Sequence, residues 1–539
     1  MKKSISILVC MLTILFSGYG QTNKRIEFPQ ESSQVETFTI PLGNKGVILM
    51  SQLNKQAFNL RKFSTNLEQE WSSNANIDPN QDFVTHSYDG EDLYLLFSRF
   101  KSNSYVIFRV NTEKAKVEKF QIISVDRIEI SNFKALNASL FIAGMVNSQP
   151  VILFTNLNEK KTRILPAVVK GQAEIQSMDL DTVYRQINVT YSVGKKAKEY
   201  QLVLKSFDED GNQVSQILMK PNEEYAMMNA KSAQINDSLQ VIVGTYGHKN
   251  TIGSSKGPSS QGLYFQSFVD GEQTHASFTS FTKFDNFFNF LSPKQQERQN
   301  RKIKDKEEKG EDLRLDYRLL MHDIIRKGDH YIVVAEAFYP DYKYNNFGPY
   351  GGGFFPGMMT MGGFYSPWSM LYNPYRWGYG YYGLYSPFSS YYSPWGYRGF
   401  NYYGNQQQFD GWVYTHAVIA ELDENGKLLW DHCISLQDMK EPKLIQKIKT
   451  SVQDDRIILS YSRNSEIVSK IIMEQGTKET ERIIPIETNQ EGDRVRKSAD
   501  SDLTYWYNTY FLASGTQQII NSIEGKRQVF YLNKIQFNP

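Results

Sequence analysis

Asp89-Gly-Glu-Asp-Leu-Tyr-Leu-Leu-Phe97 joins a turn of small and acidic residues directly to an unbroken apolar run. The run is too short for a helix and rich in aromatic and branched side chains, so it reads as a strand. The pairing returns along the chain. Apolar strands begin at Val47, Leu93, Leu140, Ile187, Leu239, Tyr331, Ile457 and Tyr510. Their spacing is about 47 residues over the first four and opens widely after Leu239 and after Tyr331. Turn formers lead into them at Asn137-Ala-Ser139, Asn236-Asp-Ser238, Lys327-Gly-Asp329 and Gln453-Asp-Asp455. Hairpin signals follow at Asp208-Glu-Asp-Gly211, Asp270-Gly271, Asp423-Glu-Asn-Gly426 and Glu524-Gly-Lys526.

A unit of this kind is a small antiparallel sheet that cannot bury both faces alone, whereas several stacked radially can. The expected fold is all-β, a β-propeller of seven or eight four-stranded blades with two long insertions. A β-sandwich is the alternative, because short strands at regular spacing suit both. Blade number turns on Val35-Glu-Thr-Phe-Thr-Ile40, which is placed to complete the blade begun by the C-terminal strands. The hairpin Glu421-Leu-Asp-Glu-Asn-Gly-Lys-Leu-Leu-Trp430 resembles the blade hairpin of PQQ-like and WD40-like propellers, in which a Gly turn precedes a Trp that docks on the next blade. The other units lack the Trp, so the resemblance implies an architecture and neither a cofactor nor a function.

The first residues, Met-Lys-Lys, an apolar run from Ile5 to Phe16, and Gly18 and Gly20 before Gln21, form a secretory signal peptide spanning residues 1–20. A lipoprotein reading through Cys10 would leave almost no apolar segment in front of the cut. No later segment approaches the roughly 18 apolar residues of a membrane helix. Cleavage leaves one domain, residues 21–539, with Cys433 as its single thiol, so no internal disulfide can form. Lys and Arg number 60 against 58 acidic residues, and a net charge of +2 gives no footprint for nucleic acid.

Both gaps in the period hold long insertions, and loops at the rim of a rigid scaffold commonly carry binding. The first insertion, 248–312, contains Gly253-Ser-Ser-Lys-Gly-Pro-Ser-Ser260, then Phe284-Asp-Asn-Phe-Phe-Asn-Phe-Leu291, then a charged helix over 293–309. Ser292 caps that helix, Pro293 opens it and Gly310 ends it, with Ile303 its one aliphatic residue. The second insertion, 342–404, is a low-complexity segment in which 24 of 63 residues are aromatic and only Lys343, Arg376 and Arg398 are charged. It repeats Tyr, then Ser or Asn, then Pro, then an aromatic residue, and Pro directs such units into turns or extended segments. It reads as a loosely collapsed loop, as a contact surface for another protein, or as a carbohydrate-stacking site. Rings with an apolar body and a polar tip suit an interface that is dry on one side. The candidate partner-binding residues are Tyr365, Trp368, Tyr372, Tyr375, Trp377, Tyr385, Phe388, Tyr392 and Trp395.

No catalytic, metal or cofactor constellation emerges. The seven His residues show no clear metal-ligand spacing, and nucleophile-elbow, phosphate-loop and Cys-x-x-Cys motifs are absent. His322 beside Asp323 reads as structural. Glu336 and His416 stand where adjacent strands can bring them together, without further sign of chemistry. The sequence therefore leads us to expect no enzymatic activity and no cofactor.

The signal peptide, the low cysteine count and a composition rich in Tyr, Asn and Lys resemble those of exported envelope proteins of Bacteroidetes-type bacteria. Tyr531-Leu-Asn-Lys-Ile-Gln-Phe-Asn-Pro539 completes a repeat, which favours the periplasm or the periplasmic face of the outer membrane over release. The expected role is a protein-interaction or scaffold module that presents its aromatic loop to an envelope partner, such as an outer-membrane barrel or secretion channel. A glycan-binding or glycan-cleaving propeller is the alternative.

Overall fold

The computed structural model describes Lys24 to Phe537, apart from residues 31–35, 55, 80, 100–101, 125, 148, 166–172, 195–199, 220–223, 252–258, 345–406, 464, 474–475 and 524. The repeats fold into eight antiparallel sheets, the four-stranded blades of a β-propeller. In chain order they span residues 37–76, 82–123, 129–164, 173–219, 225–280, 318–441, 449–485 and 494–536, the eighth sheet taking a further strand from the N-terminus. The chain divides into two compact units. One comprises Met1–Gln52, Asn59–Ser72 and Ile448–Pro539, and the other Leu53–Phe58 and Ser73–Lys447.

In the larger unit the second to sixth sheets stack face on face, and strands inside the stack are covered on both sides. Along Ser139–Val146, Leu140 and Ile142 enter the layer shared with the second sheet, while Phe141 and Ala143 enter the layer shared with the fourth. Along Gln201–Asp208, Val203 faces the third sheet, and Leu202 and Leu204 face the fifth. Successive side chains point to opposite faces, so a strand covered twice must be apolar at consecutive positions. This is why Leu93-Tyr-Leu-Leu-Phe97 does not alternate. Most fourth strands have a single neighbour and lie largely in solvent, although Leu428–Glu441 buries Asp431 to Ile434; Lys161–Ile164 is exposed throughout.

The turns follow from their side chains. Asp89 Oδ1 accepts from the Glu91 and Asp92 amides, and Asn236 Oδ1 from those of Ser238 and Leu239. In the later hairpins Asp208 Oδ1 accepts from Asp210 and Asn212, and Asp423 Oδ1 from Asn425 and Lys427. Each carboxyl or amide group imitates a backbone acceptor and closes the turn. Gly211 and Gly426 hold φ +73, and each turn packs on a ring of the preceding sheet. A Cβ at Gly211 would come within 2.9 Å of Phe154, and one at Gly426 within 2.2 Å of Phe265.

In the smaller unit the seventh and eighth sheets share a layer that includes Ile458, Ile471, Leu503 and Phe511, and the eighth sheet meets the first around Val47, Leu49, Trp506 and Leu512. The eighth sheet corrects one expectation. Its fourth strand is Lys24–Pro29, paired antiparallel with Gly525–Gln536 from Lys24 opposite Lys534 to Pro29 opposite Val529. Thr37–Pro41, within the segment expected to fill that place, instead opens the first sheet against Val47–Asn54. Both segments alternate, and Arg25 decides between them. Its guanidinium is 4% exposed, bonds Glu27 Oε1 at 2.7 Å, Gln517 Oε1 at 2.8 Å and Glu487 O at 3.0 Å, and lies 4.6 Å above the Tyr531 ring. Arg527 reaches Glu27 Oε2 at 3.3 Å and holds Asp493. With the N-terminal strand in that place, the propeller has eight blades.

Candidate functional site

The first strands of the fifth and sixth sheets are each broken in two. Tyr225–Met227 and Lys231–Gln234 both pair with Leu239–His248, and Arg318–Met321 and Ile325–Lys327 both pair with His330–Tyr344. The second break holds His322 and Asp323. His322 donates its amide to Val334 O at 2.9 Å and turns its ring to Glu336, Nε2 lying 2.7 Å from Oε1. Glu336 is fully buried, and its Oε2 accepts from the Lys447 amide at 3.0 Å. A carboxylate removed from water must be met by donors, which requires the His322 tautomer protonated at Nε2.

Asp323 points to a different partner. Lys231 Nζ lies 2.6 Å from Asp323 Oδ1 and 2.8 Å from Asp179 Oδ1, so one ammonium bridges carboxylates from the sheets on either side of its own. Burial opposes the Lys231 charge, but the two carboxylates outweigh it and raise its pKa. The Lys231 ammonium holds the Asp323 carboxyl down at about 2. Because the folded value is depressed, Asp323 stabilises the fold above its ordinary value of 3.8, and that contribution disappears as pH falls towards about 2. In Asp323→Asn the loss at neutral pH is expected to stay below about 1 kcal/mol, since the carboxylate is exposed and screened. Urea midpoints should show the gap to wild type closing between about pH 4 and about pH 2. A gap that persists unchanged would assign it to something other than the Lys231 pairing.

A second feature is the end at which the longest connections leave. Second and fourth strands of a sheet run in the same direction, so the second strands ending at His248 and Tyr344 and the fourth strand ending at Ser280 all finish at the same end of the fifth and sixth sheets. Their contacts agree. Ser260 N donates to Tyr317 O at 2.7 Å, Gln261 Nε2 donates to Leu315 O at 2.6 Å, and Leu315 N returns a bond to Gln261 Oε1 at 2.9 Å. Phe281, Phe284, Phe287 and Phe288 fill the layer between the two sheets. Asp431 fixes this segment by accepting the Asp285 and Asn286 amides, both at 2.8 Å. The helix Pro293–Glu307 follows; Gln295 Oε1 accepts from Ser292 N at 3.0 Å, and no helical side chain is buried. Within the stretch read as the first insertion, Gly262–Val269 and Glu272–Ser280 are the third and fourth strands of the fifth sheet.

The strands beside the second insertion, His330–Tyr344 and Gln407–Leu422, run 15 and 16 residues, about twice the length of most other strands, and pair as far as Tyr344 opposite Gln407. Lys440 braces this ribbon, bonding Asp341 at 2.7 Å and also Asp410. Tyr365, Trp368, Tyr372, Tyr375, Trp377, Tyr385, Phe388, Tyr392 and Trp395 all lie outside the described residues.

Glu336 and His416 do not come together. Glu336 is paired with Ala417 and His416 with Ala337, so their side chains leave opposite faces of the sheet. His416 is instead stacked on Phe290, with centroids 3.8 Å apart and planes 5° from parallel, and Phe287 and Tyr317 meet it edge-on. Burial pushes its pKa down to about 3. The Asp179–Lys231–Asp323 bridge was not anticipated, although Asp179, Lys231 and Asp323 each stand eight positions before the second-strand residues Ile187, Leu239 and Tyr331, and that recurrence was a signal for it.

These sheets make the chain a β-propeller. No family model matches it, and no curated protein does. Similar solved structures include the β-propeller domain of the Trilobed protease from Pyrococcus furiosus, at 8% identity over 85% of this chain and 96% of that one, with a TM-score of 0.33. Another comes from a study of two prolyl endopeptidases, at 7% identity over 91% of this chain and TM-score 0.39; the chain spans only 55% of that protein. A third is the polysaccharide lyase Uly1, at 7% identity over 96% of this chain and 99% of that one, with TM-score 0.36. These likenesses concern the fold. Because enzymes stand among them, the expectation of no enzymatic activity is corrected: a β-propeller gives no ground for excluding catalysis.

Proposed function

We propose that the chain is an exported β-propeller that acts as a protein-interaction module of the cell envelope. It holds residues 345–406 towards an outer-membrane or secretion-channel partner. The observation that carries this reading is that the strands ending at His248, Ser280 and Tyr344 all finish at one end of two adjacent, tightly packed sheets. A braced ribbon roots the aromatic segment there, so recognition residues would be displayed on a rigid base, the arrangement in which loops bind best. The signal peptide supports export, and the abundance of Tyr and Trp supports a partner surface that is partly apolar.

The test removes residues 345–406 and joins Tyr344 to Gln407 through Asn-Gly, a turn suited to the twist of a hairpin. Because the cut falls beyond the paired strands, the unfolding free energy is expected to change by less than about 0.5 kcal/mol. Recovery of an outer-membrane protein with the tagged chain from detergent-solubilised envelopes should be lost. Equal recovery with and without the segment would refute the proposal.

A further inference from the structure

The fourth strand of the fifth sheet, Glu272–Ser280, is clasped by the hairpin that joins the third and fourth strands of the sixth sheet. His275 Nε2 donates to Asn425 O at 2.9 Å and Ser277 Oγ to Gly426 O at 3.2 Å, while Gly426 packs against the Phe265 ring. His275, Ser277 and Thr279 alternate along the strand, so all three lie on one face of it. Beside the clasp is a cleft of about 480 Å³, which these side chains line together with Lys283, Lys427 and Leu428. That volume falls within the range of small-molecule sites. The clasp holds its walls in place, so a ligand meets a surface that is already formed.

The lining is one-sided in charge. It holds two ammonium groups and no carboxylate, in a chain with 60 basic and 58 acidic residues. Lys62, Lys231, Lys447 and Lys470 each meet a carboxylate. Among the described residues neither the Lys283 nor the Lys427 ammonium has a hydrogen bond or ion pair, and the half-buried Thr279 hydroxyl has none either. Two ammonium groups and a hydroxyl donor around one cleft fit an anion of more than one charge. Lysine acts as a point charge with rotatable donors and suits a tetrahedral oxyanion, whereas a planar carboxylate is matched best by the arginine fork, and no arginine lines the cleft. Leu428 supplies an apolar wall, and the cleft is many times the roughly 30 Å³ that one water occupies in the liquid, which leaves room for a carbon body beside the oxyanion.

We infer that this cleft binds a phosphate monoester of about the size of a sugar phosphate. Its phosphoryl oxygens pair with the Lys283 and Lys427 ammonium groups and accept from the Thr279 hydroxyl, and its carbon body lies against Leu428. Neither residues 345–406 nor a partner bound there enters this recognition.

Isothermal titration of the full chain tests this with glucose 6-phosphate, inorganic phosphate and glucose in a phosphate-free buffer of low salt. Glucose 6-phosphate is expected to bind, inorganic phosphate to bind several-fold less tightly because it leaves the apolar wall uncovered, and glucose to give no signal. Lys283→Met and Lys427→Met keep the apolar stems and break no described side-chain bond. Each should unfold at the wild-type midpoint yet bind glucose 6-phosphate about tenfold more weakly, as the loss of one charge-assisted hydrogen bond predicts. Lys114→Met, at an exposed position of the second sheet, should leave the affinity unchanged. Glucose binding as tightly as its phosphate overturns the inference, and so do equal affinities for inorganic phosphate and the ester. It is also overturned if either cleft variant keeps full affinity, if Lys114→Met weakens binding as much as they do, or if no probe binds.

Discussion

Arg25→Met is expected to lower stability by about 3 kcal/mol, among the largest effects of any single substitution in the smaller unit. The guanidinium is enclosed by Glu27, Gln517, the Glu487 carbonyl and the Tyr531 ring. Removing it leaves a Glu27 oxygen, on a side chain only 12% exposed, without its donor, and leaves the exposed Glu487 carbonyl to water. Arg527 continues to reach Glu27, which keeps the loss at the lower end of the range for a broken buried pair. The urea transition followed by tryptophan fluorescence measures it, and adding Glu27→Gln to Arg25→Met should recover part of the loss. A loss below about 1 kcal/mol would mean that the N-terminal strand is held by its backbone ladder and by Ile26 and Phe28 alone.

Phe287→Ala should cost about 3–5 kcal/mol in the larger unit, the usual range for deleting a buried aromatic ring. Phe287 is fully buried, stacks on Phe281 at 4.5 Å, and meets Phe288, Tyr317 and His416 edge-on. The cavity would open beside His416, whose pKa is about 3 because it is buried. With water admitted, that value should rise towards the ordinary 6.5. The sign for stability follows. The unfolded chain binds the proton at the ordinary value and the folded wild type does not, so wild-type stability declines as pH falls below about 6.5. The variant, though less stable, should show a shallower decline. NMR titration of the His416 ring checks the first part and urea midpoints at two pH values the second; an unmoved pKa would show that the surrounding rings close over the gap.

The parts of the fold legible in the sequence are those where burial leaves no choice. Second strands such as Leu93-Tyr-Leu-Leu-Phe97 touch a neighbour on both faces, and the hairpins at Asp208 and Asp423 declare themselves through a side-chain acceptor and a glycine at φ +73. Fourth strands are harder because solvent tolerates almost any residue there; Gln69–Asn76 and Lys161–Ile164 carry little apolar signal. The choice between Lys24–Pro29 and Val35–Ile40 was hidden for another reason. Both have the alternation of a one-sided strand, and the deciding contacts of Arg25 are made with residues near the other end of the chain. At the site, local reading treats His322 and Asp323 as a pair, yet adjacent residues in extended chain point apart and each finds its partner on another strand.

Arg25 and Asn533 lie 508 positions apart and sit side by side in the eighth sheet. Lys24–Pro29 therefore has no place to dock until Gly525–Gln536 has been made. At synthesis rates of about 5–20 residues per second the N-terminal strand waits tens of seconds for its partner, a long interval beside the time most strand pairings need. In a chain built in this way the final seam stays undone until both of its strands exist, and its completion reports that everything between them has been made.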